Sequence, residues 1–238
     1  YWIKCVDDDV YEHFNGKADT TSMIYSIHPG ANLISFSGPA PTPVELALPS
    51  DLSCDAIIGE GEATSLSASG DWIGNLDNFK PWGGYWMKCS DSHEFSFQGH
   101  GALPRVDVED IPVPEELAFE QSINQMFYFI EDIEDAQVGR DFIITKIGDD
   151  IVGSAPYVGE YSTIPLMGKW EEVPGFRIGQ TVSLQLYNSY SGQYYYLRDQ
   201  ELPAFENLGT FTIGVMTQQP VIPEQFVLYR AYPNPFNP

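Results

Sequence analysis

Over long stretches of the chain, apolar and polar residues alternate one by one, which is the period of strands that bury a single face. "GGYWMKC" (83–89) and "HEFSFQG" (93–99) show it with aromatic residues in the apolar positions. "MIYSIHPGANLISF" (23–36) reads as two short β-prone runs around a Pro-Gly turn, and "AIIGEGEATSLS" (56–67) and "DWIGNL" (71–76) as strands parted by glycine turns. "TPVELALPSDLSC" (42–54) predicts a short helix, with Thr42 as N-cap and Pro43 at the first helical position. Trp72, Trp82 and Trp86 stand among glycine turns and read as core plugs.

Further on, "QMFYFIEDIE" (125–134) predicts a strand and "DFIITKIGDDIVGSAPYV" (141–158) a hairpin turning near Gly148-Asp149-Asp150. "TVSLQLYNSYSGQYYYL" (181–197) predicts a second hairpin turning at Ser191-Gly192, and "GTFTIGVM" (209–216) the final strand. Short strands with frequent turn signals and almost no helical period imply an antiparallel sandwich. The expected fold is therefore mainly β: a small β-rich repeat module followed by an antiparallel β-sandwich domain.

A repeat sets the boundaries. Tyr1, Trp2, Lys4, Cys5 and Asp7 of "YWIKCVDDDVYEHFNG" recur as Tyr85, Trp86, Lys88, Cys89 and Asp91, a spacing of 84 residues and thus a domain-sized period. Residues 1–16 then read as the closing strands of a preceding module, with the parent chain extending N-terminally, and 17–101 as the next copy. Residues 102–119, "ALPRVDVEDIPVPEELAF", are a linker rich in proline and acid, extended in places. The sandwich occupies 120–218, "QPVIPEQ" (219–225) is a stiff spacer, and 226–238 form a tail.

Composition narrows the partners. The 238 residues include 43% hydrophobic side chains, enough for a sizeable core, yet 34 acidic residues face 11 basic ones for a net charge of −23. Such a surface repels nucleic acid and anionic membranes. No apolar run reaches the roughly 18 residues of a transmembrane helix. Acidic loops offer hard oxygen ligands for calcium: Asp7, Asp8 and Asp9, then Glu131, Asp132, Glu134 and Asp135, then Asp149 and Asp150. None has the D-x-D-x-D-G spacing, so solvated surface charge is the plainer reading, and no other cofactor is expected.

Catalytic strings are missing from the sequence. It has no G-x-S-x-G elbow and no H-E-x-x-H, and its four histidines are scattered. Carboxylate pairs follow from acidic composition alone. Tyr187, Tyr190, Tyr194, Tyr195 and Tyr196 could form a sugar-stacking platform, with Tyr187, Tyr190, Tyr194 and Tyr196 as the candidate rings, although strand alternation sends about half of such a string into the core. Of the three cysteines, Cys54 and Cys89 are the only pair within module 17–101, which leaves Cys5 to an upstream partner. In an oxidising compartment the two would bridge; otherwise all three serve as small buried residues.

The tail is the most specific stretch. Phe226, Leu228, Tyr232, Pro233, Asn234, Pro235, Phe236, Asn237 and Pro238 match an F-x-L-x-x-x-Y-P-N-P-F-N-P string. It resembles the opening of the C-terminal sorting domain of proteins exported by the bacterial type IX secretion system. That resemblance implies contact with the secretion machinery and an extracellular location, at the bacterial cell surface or released from it. Module 17–101 looks like a β-rich repeat of secreted proteins from such bacteria. The 120–218 region resembles an accessory domain that often precedes the sorting domain, although many versions carry Trp-Ile-Gly-x-Phe where Phe142-Ile143-Ile144-Thr145 stand here. Neither resemblance brings a catalytic residue.

Two functions are expected from this reading. The first is a non-catalytic structural or adhesive segment of a large surface protein, contacting neighbouring surface proteins or assembling through its termini into a filament or matrix. The second is a polysaccharide-binding accessory of a secreted hydrolase.

Overall fold

The structure, a computed structural model, describes residues 23–98 and 111–221. The expectations placed on residues 1–16, Asp7, Asp8 and Asp9 among them, and on the tail at 226–238 lie outside these residues.

In the N-terminal unit, β1 (Tyr25–Ile27) and β2 (Gly30–Ser35) flank the Pro29-Gly30 turn. β3 (Thr42–Pro43) leads directly into α1 (Val44–Ala47). Then come β4 (Cys54–Ile58), β5 (Ala63–Leu66), β6 (Trp72–Gly74), β7 (Asn78–Phe79), β8 (Gly84–Cys89) and β9 (His93–Phe95). Five of these form an antiparallel sheet in the order β2-β8-β4-β5-β6, while β1 pairs with β9 and β3 with β7.

The helix is shorter than "TPVELALPSDLSC" implies. Thr42 is a strand residue whose hydroxyl donates to the Ala40 carbonyl at 3.1 Å, and Pro43 holds the N-cap position without a side-chain cap. One turn later Leu48 precedes a proline, which forces it out of the helical region; it is extended at φ −98° and ψ 142°.

Alternation along β8 works as the pattern suggests. Tyr85, Met87 and Cys89 enter the core of the unit, and Trp86 faces the other side. That core is aromatic: Phe79 stacks on Phe36 at 5.4 Å and meets Tyr85 and Phe97 edge-on at 4.9 and 5.1 Å.

The second unit is a two-sheet sandwich. Its strands are β10 (Gln125–Ile130), β11 (Asp141–Ile147), β12 (Asp150–Pro156), β13 (Ser162–Met167), β14 (Gln185–Asn188), β15 (Gln193–Arg198), β16 (Thr210–Ile213) and β17 (Thr217–Pro220). One sheet has the order β13-β10-β16, the other β12-β11-β14-β15-β17. Pairing is antiparallel except between β10 and β16, which run parallel. β17 is a strand beyond "GTFTIGVM" and extends to Pro220, past the boundary drawn at 218; proline is tolerated there because β17 is an edge. Leu166, Leu186, Ile143 and Tyr128 lie in the core between the sheets.

Strand β10 is buried at every position, and its two faces serve different cores. Met126, Tyr128 and Ile130 point into the sandwich. Phe127 and Phe129 point out of it, into a cluster completed by Ile58, Ala63 and Ile73 of the N-terminal unit, with Trp86 packed against it. Polar contacts reinforce the joint. The Gln125 side chain, 2% exposed, donates Nε2 to the Gly59 carbonyl at 2.8 Å and accepts from the Gly61 amide at 3.4 Å. The turn between β4 and β5 is thereby fastened to the start of β10.

The end of the linker is also docked. Leu117, in a short 3-10 turn at Glu115–Leu117, is buried against Phe142, Ile144 and Tyr187 on the outer face of the five-stranded sheet. The Ser154 hydroxyl donates to its carbonyl at 2.8 Å.

Candidate functional site

The outer face of the five-stranded sheet collects most of the sequence-predicted tyrosines. Residues two apart on a strand share a face, so Tyr194, Tyr196 and Arg198 of β15 project together, and register sets Tyr187 of β14 directly opposite Tyr194. The Tyr187 and Tyr194 rings lie 4.9 Å apart, tilted by 42°. Tyr195 takes the opposite face and packs against the sandwich core, the fate that alternation assigns to part of the string.

Two cations sit on this aromatic row. Lys146 Nζ lies 4.5 Å from the centre of the Tyr194 ring, and the Arg198 guanidinium 5.0 Å from that of Tyr196, both within cation–π range. The docked linker braces one end: the Tyr187 hydroxyl donates to Glu116 Oε1 at 3.3 Å. Burial, and after it the Glu116 carboxylate, raise the Tyr187 phenol above its ordinary value.

Tyr190, also named in the sequence, stands at the hairpin tip, 86% exposed. Asn188 shapes that tip by accepting from the Tyr190 and Ser191 amides at 3.1 and 3.0 Å.

A disulfide joins Cys54 and Cys89, which face each other across β4 and β8 with Cα atoms 3.9 Å apart. That is closer than the usual separation of about 4.4–6.8 Å. It lies at the edge of the unit's core, where it fastens the central strand pair.

Asp149 and Asp150 are exposed at the tip of the β11–β12 hairpin. No group of three or more His, Cys, Asp or Glu side chains that could hold a metal ion occurs among the described residues. Buried Asp141 is fully engaged: Arg140 donates to it at 2.5 and 2.9 Å and the Gln137 amide at 2.8 Å. Tyr157 donates to Asp132 at 2.5 Å, and burial, then that bond, push the phenol up to about 12.

Trp82 is the residue that pattern reading misplaces. Its side chain is 92% exposed, whereas Trp72 and Trp86 pack against buried clusters. The Gly83 amide donates to the Lys80 carbonyl at 3.0 Å, and Trp82 has φ +67°. With proline at the second position these features define a type II turn, in which the third residue is ordinarily glycine. An indole in that place cannot fold back on the sheet and points to solvent.

An open cleft of about 550 Å³ lies between α1 and the β5–β6 hairpin, lined by Trp72, Leu48, Glu45, Asp71 and Asp77 among others. Among the described residues no serine or threonine hydroxyl is hydrogen-bonded to a histidine; His28 Nδ1 meets only the Pro29 carbonyl, at 2.9 Å. No protein-family model, curated protein or solved structure matches the chain.

Proposed function

We propose that this chain is a non-catalytic extracellular segment of a larger bacterial surface protein, with a structural or adhesive role. The joint at β10 supports the reading most. A strand whose two faces belong to two different cores couples the units mechanically, and the Gln125 amide adds a directional tie. Such coupling suits a part that holds something at a fixed position and transmits force. A disulfide between neighbouring strands fits an oxidising location. The tail's resemblance to a sorting domain supports export.

Labelling of intact producing cells with a membrane-impermeant reagent tests the proposal. The chain in its native gene context should be labelled, and removal of residues 226–238 together with whatever follows them should abolish labelling. Retention inside unlabelled cells, with the tail intact, would overturn it.

A second reading, polysaccharide binding, is favoured by the half-buried rings of Tyr194 and Tyr196, while Tyr187, buried beneath the linker, backs Tyr194 from below. Rings held on strands rather than loops are positioned well for stacking on sugars. The two readings are compatible, since an adhesive segment needs something to adhere to.

A further inference from the structure

We infer that the outer face of the five-stranded sheet, along β15 and its neighbours, binds an anionic polysaccharide, one whose sugar rings bear carboxylate or sulfate groups. The inference rests on the carbohydrate-binding reading and narrows it to a chemical class.

The cations supply the argument. Among the described residues two basic side chains are tied up in ion pairs, Lys80 with Glu62 at 3.0 Å and Arg140 with Asp141 at 2.5 Å. Lys146 and Arg198, like Lys88, Lys169 and Arg177, form no ion pair among the described residues, and what sets these two apart is that each lies over a tyrosine ring. Both are on the same face of the same sheet. A ring neutralises none of the charge, so each cation retains donors for an incoming anion. The Tyr194 and Tyr196 rings are half-buried, so each keeps part of its surface at solvent for a sugar ring to cover beside the cation.

Spacing extends the match. Alternate residues on a strand stand roughly 6–7 Å apart, so Tyr194, Tyr196 and Arg198 make a row about 13 Å long. A row of that length addresses more than one sugar of a chain and presents rings and charge in turn. Nonspecific attraction is not the source of binding, because the molecule as a whole repels polyanions. Affinity must arise at contact, from stacking and charge together, and an anionic polymer without sugar rings should gain little.

The experiment is affinity electrophoresis of the full chain through gels containing a polyuronate, a sulfated galactan, dextran or polyglutamate. Retardation by the polyuronate or by the sulfated galactan is expected, and the two gels tell which anion is preferred. Dextran and polyglutamate should leave mobility unchanged. The double variant Lys146→Gln/Arg198→Gln should weaken binding at least tenfold, added salt should weaken it further, and Lys80→Gln should have no effect. If the double variant loses its near-ultraviolet dichroism, Arg198→Gln alone replaces it, since that side chain is exposed. Equal retardation by dextran, with the cation variants unaffected, would overturn the anionic preference and leave carbohydrate binding standing. Equal retardation by polyglutamate would reduce the face to a charge patch and overturn the inference. No retardation in any gel would end both the inference and the polysaccharide reading.

Discussion

A β-carbon placed on Gly74 would stand 2.7 Å from Cε1 of Phe129 and 2.3 Å from the Ala63 carbonyl oxygen. Gly74 also has φ +135°, where side chains are rarely found. The Phe129 ring therefore occupies space that exists only because β6 of the N-terminal unit carries a glycine. Sequence position 74 and sequence position 129 are fitted to each other across the joint.

Gly74→Ala should cost about 1–3 kcal/mol through overpacking, with the positive φ adding to it. Phe129→Ala, which empties a fully buried ring site, should cost about 3–5 kcal/mol. Urea unfolding followed by intrinsic fluorescence measures both. A cost near zero for Phe129→Ala would mean that the shared cluster contributes nothing to stability.

Replacing Cys54 and Cys89 by serine should lower stability by about 3–4 kcal/mol, because the bridge closes a loop with a sequence separation of 35 residues. Thiol titration of the unfolded, unreduced protein should find one free thiol among the three cysteines, that of Cys5. Three free thiols would refute the bridge.

Trp82→Gly should stabilise the protein. Relief of a left-handed non-glycine residue returns about 1–2 kcal/mol, offset by the greater freedom of glycine in the unfolded chain, for a net gain of about 0.5–1 kcal/mol. Little burial is lost, since the indole is 92% exposed. Thermal unfolding should show a rise of a few degrees; a fall would show that the indole makes contacts that support the turn.

Stability should fall at alkaline pH. The Tyr157 phenol is raised to about 12 from an ordinary value of 10, chiefly by burial and then by its bond to Asp132. Burial raises Tyr128 and Tyr85 as well. Below pH 10 these phenols are neutral in both folded and unfolded chains, and their contribution is fully present. Above it the unfolded chain releases protons first, so stability declines from pH 10 through the raised folded values. The urea midpoint should drop across that window, and less steeply in Tyr157→Phe.

Much of the strand layout was legible because most strands bury one face and alternate. The hairpin at 141–158 and the terminal pair at β8 and β9 lie where the pattern puts them. β13 carries no such signal: "STIPLM" contains Pro165 and is buried on both faces, so it neither alternates nor looks like a strand. β10 was recognised as a strand, but its continuous apolar run could not say that Phe127 and Phe129 face a different unit from Met126 and Tyr128. Of the candidate site, alternation separates Tyr195 from its neighbours. Arg198 and Tyr196, two apart on β15, share a face by alternation, whereas the position of Lys146 over the Tyr194 ring depends on register between strands distant in sequence, which composition does not encode. Trp82 departs from the pattern because a large aromatic residue beside glycines usually fills a core, whereas here the turn type dictates exposure.

Shared packing on β10 should hold the N-terminal unit and the sandwich as one rigid body. Backbone 15N relaxation tests it most directly, by comparing the rotational correlation times of amides in 23–98 and in 111–221. Both stretches should show a single correlation time, that of the whole molecule. Two distinct and shorter times, each suited to one unit, would contradict it.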